Sequence, residues 1–446
     1  MKSDPTIPHR EPADGTTVLE MAEKGEPNRI RRLLKVLGPG LITGASDDDP
    51  SGIGTYSVTG AQFGYAFLWT APWCFPLMAS VQYICAKVGM VSGRGLAGVL
   101  RHHYPRWVLY PAVFLLVVAN TINAGADIGA IAAAINLLVP VPISLMIVPI
   151  ALAIVVLQIW GSYRLIAGTF KWLCIALFAY VGAGLLSRPD WAEVLRATII
   201  PTIHFDSGFA TTLVAILGTT ISPYLFFWQA SQEVEEEIQL GRHSHWSRLG
   251  ATDRELHYRA WDVNIGMGIA IVVMYFIMLA TGSTLHKVGQ TDIQSASDAA
   301  VALRPLAGDM AGLLLALGLV GTGVLAVPIL TGSAAYAICE SAGWRYGLDE
   351  KPGRARQFYA VIGAATLVGM SINFVGINPI DALFYTAVIN GLLAPPLLVL
   401  IMLVSNNRQI MGSRTNNRWI NLAGWATTVV MAAAALILLL TWGKGS

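Results

Sequence analysis

A chain of 446 residues that is 54% apolar and only 13% charged, with a net charge of +2, is not built as a soluble domain, where about a quarter of residues carry charge. A mean hydropathy of +0.58 instead describes a chain that sits mostly in hydrocarbon. The small net charge and the lack of a basic stripe exclude nucleic acid as a partner.

The N-terminal segment, residues 1–32, is polar and has no apolar run before Leu33. It is not a signal peptide and reads as a disordered cytosolic tail. From there, apolar segments long enough to span a bilayer, about 20 residues each, recur near 38–62, 66–90, 107–135, 142–160, 165–186, 208–232, 262–284, 308–339, 358–376, 379–404 and 420–442. The expected fold is an all-α membrane protein of about eleven spans.

The connecting loops alternate in charge. One set is basic: Lys24–Lys35, Lys87–Arg106, Arg164–Lys171, Arg242–Arg259, Arg345–Arg356 and Arg408–Arg418. The other set, at 63–66, 136–141, 187–207, 285–307 and 375–379, is poor in Lys and Arg. The positive-inside rule puts the basic set and the N-terminus in the cytoplasm. With an odd number of spans the C-terminus then lies outside, in the plasma membrane of a prokaryote.

Two spans are interrupted. The first contains GASDDDPSGIGTYS at 44–57, and the sixth contains LGTTISPYLFFWQAS at 217–231. Three aspartates, a proline and several glycines cannot continue a lipid-facing helix, and Pro223 removes a donor in mid-span. The breaks fall five spans apart. That spacing predicts two five-span repeats, 33–190 and 191–405, of inverted topology with a binding site at their interface. Residues 406–446 add a cytosolic loop and an eleventh span.

Unwound backbone exposes carbonyl oxygens, and intramembrane carboxylates are costly and functional. Both point to a cation. Asp49, directly before Pro50, is the first candidate ligand; Asp47 and Asp48 are read as lining the approach or capping a half-helix. Around Pro223, the proline frees the carbonyl of Thr219 one turn earlier, and Ser222 adds a hydroxyl that serves either the ion or the kink. In the third span, Asp127 is a relay, a vestibule residue or a satisfied polar group between helices, while Asn120 and Asn123 are read as helix–helix glue. In the tenth span Asn390 offers an amide oxygen, and Asp381 is read as a cap after Pro379. The acidic run EVEEE at 233–237 is read as a solvated face or a cation funnel.

Other metal chemistries find less support. The cysteines Cys74, Cys85, Cys174 and Cys339 have neither zinc nor disulfide spacing. All eight histidines fall in hydrophilic segments or loop edges. No HExxH and no nucleophile–base pair occurs in the spans, so an enzyme is not expected. An amino-acid carrier on the same fold would meet three repelling aspartates at the break.

These motifs resemble those of the Nramp divalent-metal transporters. GPGLITGASDDDPSG at 38–52 is similar to the family's first-span motif, where a Gly-Pro pair is followed at the same spacing by Asp-Pro-Gly-Asn. GTTISPY at 218–224 is similar to the sixth-span motif with its Met-Pro-His core, and ADIGA at 126–130 to the third-span Thr-Asp-Leu-Ala-Glu. The resemblance implies a leucine-transporter-like fold and alternating access. It also implies a metal site at Asp49, Gly52, Thr219 and Ser222, with Mg²⁺ or Mn²⁺ as substrate rather than cofactor and no obligate protein partner.

The departures refine that expectation. Gly52 stands where the family has its asparagine ligand, and Ser222 where it has a methionine sulfur. Losing the soft ligand shifts preference from transition metals towards Mg²⁺, Ca²⁺ and Mn²⁺, and a roomier all-oxygen site suits a partly hydrated Mg²⁺. The pattern is similar to that of the Nramp-related magnesium transporters of prokaryotes. Tyr224 replaces the sixth-span histidine and Ala130 the third-span glutamate. Two titratable groups are thereby gone and proton coupling is expected to be weak or absent. The alternative is a proton-coupled Mn²⁺/Fe²⁺ importer of the ordinary Nramp kind.

Overall fold

The computed structural model describes residues 39–160, 173–204, 206–348 and 350–441, except for the side chains of 173–175. The tail 1–32, the basic segment Arg164–Lys171 and the Cys174 side chain lie outside the described residues. Among the described residues the secondary structure is helical, with no strand.

The first span is two helices, α1 (Pro39–Asp47) and α2 (Pro50–Phe63). The second is α3 (Thr70–Ser92), followed by a short helix α4 (Leu96–His103). The third and fourth are α5 (Arg106–Leu138) and α6 (Ile143–Trp160). The fifth ends in α7 (Ala179–Leu186), and the loop after it carries α8 (Trp191–Ile199), capped by Asp190. The sixth is again two helices, α9 (Ser207–Thr220) and α10 (Pro223–Gln239). The remaining spans are α11 (Asp253–Thr284), α12 (Ala311–Ala342), α13 (Arg356–Ser371), α14 (Pro379–Asn406) and α15 (Arg418–Thr441).

Among the described residues nine helical segments are long and apolar enough to cross a membrane. The first expected span is outside that set because its break leaves halves of 9 and 14 residues. The fifth is outside it because the segment before residue 173 is not described. At 1.5 Å per residue the 33 residues of α5 run about 50 Å, enough to cross with tilt. Large apolar side chains such as Trp107, Phe114, Leu145, Leu152 and Leu439 point outward, where only lipid tails are a favourable neighbour.

Element limits follow capping as much as apolarity. The apolar pattern places the start of the seventh span at 262, but α11 begins at Asp253. Thr252 and Glu255 form a reciprocal capping box there and prolong the helix into the polar loop. At the start of α14 the cap is Asn378, whose side chain accepts the Ile380 N–H at 2.9 Å. Asp381 therefore lies in the first turn and is not the cap.

Both broken spans are pinned beside their breaks by close backbone approach. α1 lies against α11, where a Cβ on Gly44 would strike the backbone of Gly266. α9 lies against α14, where a Cβ on Gly218 would strike the Ala387 carbonyl and the Gly391 backbone. Without a hydrophobic driving force between helices in lipid, such small-residue seams supply the van der Waals contact that holds them together.

Candidate cation site

The two breaks are built alike. Pro50 and Pro223 each occupy the first position of the second half-helix, where the missing N–H costs nothing and φ is already helical. The residue before each is extended: Asp49 at φ −66°, ψ 171°, and Ser222 at φ −78°, ψ 130°.

Asp49 is 1% exposed, and its carboxylate caps α2. Oδ1 accepts the Ser51 hydroxyl at 2.6 Å and the Gly52 N–H at 2.8 Å. Oδ2 accepts the Asn123 side-chain amide at 3.1 Å and the Tyr224 hydroxyl at 3.4 Å. Four donors thus use the acceptor sites of one carboxylate. Tyr224 also donates to the Ser46 carbonyl at 2.8 Å, tying α10 to the last turn of α1. Ser51 Oγ lies 3.3 Å from Thr219 Oγ1, which links the two breaks.

The candidate residues distribute unevenly around this centre. Asp49, Gly52, Thr219 and Tyr224 converge. Ser222 turns its hydroxyl back onto its own break, donating to the Thr219 carbonyl at 2.6 Å and the Gly218 carbonyl at 2.9 Å. The Thr219 oxygen keeps a second lone pair. Gly52 leaves less space than its small side chain suggests. A Cβ there would lie 3.2 Å from the Asp47 carbonyl, 3.3 Å from the Tyr56 ring and 3.4 Å from Thr219 Oγ1. Tyr56 fills that volume and bonds Thr220 Oγ1 at 3.1 Å, so the expectation of a roomy site at Gly52 is corrected.

Asp48 and Asp47 are buried, and Oδ1 of each accepts no hydrogen bond among the described residues. Asp127, one turn beyond Asn123 on the same face of α5, is fully buried. Neither of its oxygens accepts a hydrogen bond of normal geometry, although the Ser51 N–H faces them. Among the described residues no Lys or Arg pairs with Asp47, Asp48, Asp49 or Asp127. Asn390 is buried with its amide nitrogen unpartnered, and no hydrogen bond joins it to the break. Among the described residues no three His, Cys, Asp or Glu side chains gather closely enough to hold a metal. An ion at Asp49 would therefore meet amide, hydroxyl and carbonyl oxygens beside the carboxylate.

Asn120 does act between helices, donating to the Leu330 carbonyl at 3.0 Å. Asn123, read from sequence the same way, also bonds between spans, but to the Asp49 carboxylate at the first break. The signal that was available is its spacing, four residues before Asp127, which puts both polar groups on one face of α5.

The acidic run 233–237 is also not a solvated funnel. Glu233, Glu235 and Glu237 are buried. Arg259 of α11 pairs with Glu233 at 2.8 Å, with Asp262 at 2.7 Å and with Glu236. Tyr336 donates to Glu235 at 3.0 Å. Asp262 in turn accepts the Gly40 N–H at 2.8 Å and the Leu41 N–H at 3.1 Å, capping α1 from the neighbouring helix. Gln229 joins Glu233 at 2.7 Å to Thr43 at 2.6 Å. The run thus packs on more than one side, against Arg259, Gln229, Tyr336 and Arg242, the last 3.5 Å from Glu237.

Residues 40–441 match the family model described as natural resistance-associated macrophage protein-like, Nramp. The chain belongs to this family. Two relatives from strains of Klebsiella pneumoniae, each named divalent metal cation transporter MntH, are 28% identical to this Nramp chain over 409 residues, covering 90% of it and 92% of their own length. Among solved structures, the manganese transporter of Eremococcus coleocola, in complex with an aromatic bis-isothiourea substituted compound, superposes with a TM-score of 0.72. Identity is 20%, with 94% of this chain and 90% of that one covered. The inward-facing conformation of Mhp1 gives a TM-score of 0.54 at 16% identity, covering 91% and 89%. These likenesses establish the leucine-transporter-like fold with its five-plus-five repeat. The Nramp chain is a multi-pass membrane transporter, not an enzyme.

Proposed function

We propose that this Nramp chain carries a divalent cation by alternating access, Mg²⁺ first and Mn²⁺ as well, with weak or no proton coupling. The observation that carries this reading is the donor set at Asp49. Asp49 stands among amide and hydroxyl groups and the freed Thr219 carbonyl, and neither break carries a methionine or histidine of its own. Carboxylate, carbonyl and water suit Mg²⁺ and Mn²⁺. The relatives named for divalent metal and for manganese support the cargo class.

Asp49 is the main ligand, with the Thr219 carbonyl, Ser222 and Asn390 as further oxygens once the breaks rearrange around an ion. Gly52 and Pro50 shape the first break and Pro223 the second; Asp48, Asp127 and Tyr224 line the surroundings. Spans one and six, one from each of the repeats 33–190 and 191–405, rock against the remaining scaffold to open either side, the basic loops face the cytoplasm, and the chain works in the plasma membrane without an obligate partner.

A second reading, a Mn²⁺ importer with a relocated soft ligand, is favoured by one contact. Met274 Sδ of α11 lies 3.9 Å from Thr220 Oγ1, beside the sixth-span break. Uptake into proteoliposomes separates the two. Asp49→Ala is expected to abolish Mg²⁺ and Mn²⁺ uptake, and normal uptake by that variant sinks the site assignment. Met274→Leu is expected to leave the Mg²⁺ to Mn²⁺ preference unchanged; a selective loss of Mn²⁺ uptake favours the second reading.

A further inference from the structure

The bonding of Asn123 is more than helix packing requires. Its side chain is fully buried on α5. One arm, Nδ2, donates to Asp49 Oδ2 at 3.1 Å. The other arm, Oδ1, accepts nothing from any described residue. A carboxylate only accepts, so the nitrogen must face Asp49 while the carboxylate is without an ion. A buried amide oxygen left without a donor costs about 1–3 kcal/mol, and the sequence tolerates this cost beside the carboxylate that caps the second half-helix.

A divalent ion on Asp49 Oδ2 cannot share that oxygen with an N–H pointing at it from the same side. Turning the amide over about its terminal torsion exchanges Nδ2 for Oδ1 at nearly the same point, because the two arms have the same shape. An oxygen then stands about 3.1 Å from Asp49 Oδ2. In an octahedral shell with bonds of about 2.0–2.1 Å, neighbouring oxygens lie about 2.9 Å apart. The longer bonds of Ca²⁺, about 2.3–2.6 Å, want wider spacing. The Tyr224 hydroxyl, the second donor on Oδ2, already has the Ser46 carbonyl at 2.8 Å to receive its proton.

We infer that Asn123 is an ion ligand: its amide turns over when the cation arrives and its Oδ1 joins Asp49 in the coordination shell, supplying from the third span the amide oxygen that Gly52 does not supply from the first. The inference rests on the reading of Asp49 as the ion site. It makes Asn123 a determinant of selectivity, because a hard oxygen takes a place where a softer group would favour softer ions.

The test uses purified full-length protein and reads binding as well as transport. Metal-dependent thermal stabilisation is measured with Mg²⁺, Mn²⁺ and Cd²⁺, alongside proteoliposome uptake of each, for wild type, Asn123→Met, Asn123→Asp and Asp49→Ala. Asn123→Met places a thioether at the ligand position. It is expected to weaken Mg²⁺ stabilisation and uptake about tenfold while raising the Cd²⁺ to Mg²⁺ ratio. Asn123→Asp keeps an oxygen there and is expected to retain Mg²⁺ binding within about threefold, which holds the test open if the methionine variant does not fold. Wild-type ion ratios in Asn123→Met with a silent Asp49→Ala overturn the role of Asn123 and leave the site standing. Loss of Mg²⁺ binding in a folded Asn123→Asp overturns it too. Wild-type binding in Asp49→Ala overturns the underlying site instead.

Discussion

Asp49 does two jobs with one carboxylate. It caps α2 through Ser51 and Gly52, and it offers Oδ2 towards α5 and α10. The division suits the proposed carrier role: the capping oxygen fixes the side chain, and the other is held only by side-chain donors that an ion could replace. Tyr224 is the longer of the two donors on Oδ2 and has a firmer bond to Ser46. If Tyr224 is a strut and not a proton carrier, Tyr224→Phe removes about 1 kcal/mol of stability, the usual net worth of one buried hydrogen bond. Uptake of Mg²⁺ then continues within about threefold. Thermal unfolding and proteoliposome flux check both halves, and collapse of flux with intact folding contradicts the strut. At this scale the sequence was partly legible. Asp49, Pro50 and Pro223 stand out because carboxylates and prolines are anomalous in apolar runs. The Ser222 hydroxyl is taken up locally by carbonyls of its own break, whereas the meeting of the two breaks at Ser51 and Thr219 and the approach of Asn123 to Asp49 depend on how separate helices are rotated against one another. No local pattern encodes that rotation.

Among the elements, α1 is the one most conspicuously held from outside. Nine residues make a helix too short to be stable alone. Its first turn is capped by Asp262 of α11, its middle is tied through Thr43 and Gln229 to α10, and its backbone rests on Gly266. Arg259 is the keystone, balancing Glu233, Glu236 and Asp262 at once. Removing one partner of a buried ion network leaves uncompensated charge, at a cost of about 3–5 kcal/mol. Arg259→Gln is therefore expected to lower the thermal unfolding midpoint in detergent markedly, and an unchanged midpoint contradicts the keystone role. The helices themselves were readable from apolarity and caps, with limits displaced where polar partners extend a helix, as at Asp253 and Gln239. The acidic run at 233–237 was misread for the same reason. Two of its partners, Arg259 and Tyr336, lie more than twenty residues away in the chain.

For the whole molecule, the proposed ion site at Asp49 is buried in this arrangement. The aspartate is 1% exposed, α10 and α1 are joined by Tyr224 and Ser46 beside it, and Tyr65, in the turn after α2, bonds Ser283 of α11 at 2.8 Å. Transport requires these contacts to part in turn, as inverted repeats about a central site allow. A coupled proton needs a titratable group to ride on, so the groups beside the proposed ion site bear on coupling more than the fold does. Asp127 is the one third-span carboxyl close to Asp49, and no histidine stands at the sixth-span break.

The most direct measurement is initial Mg²⁺ influx into proteoliposomes holding a Mg²⁺ dye and a pH dye together, with and without an imposed pH gradient, and with Mn²⁺ run in parallel. The expected result is Mg²⁺ influx that changes less than about twofold with the gradient and leaves the lumenal pH unchanged. Mn²⁺ influx accompanied by lumenal acidification, with no influx of Mg²⁺, would contradict it.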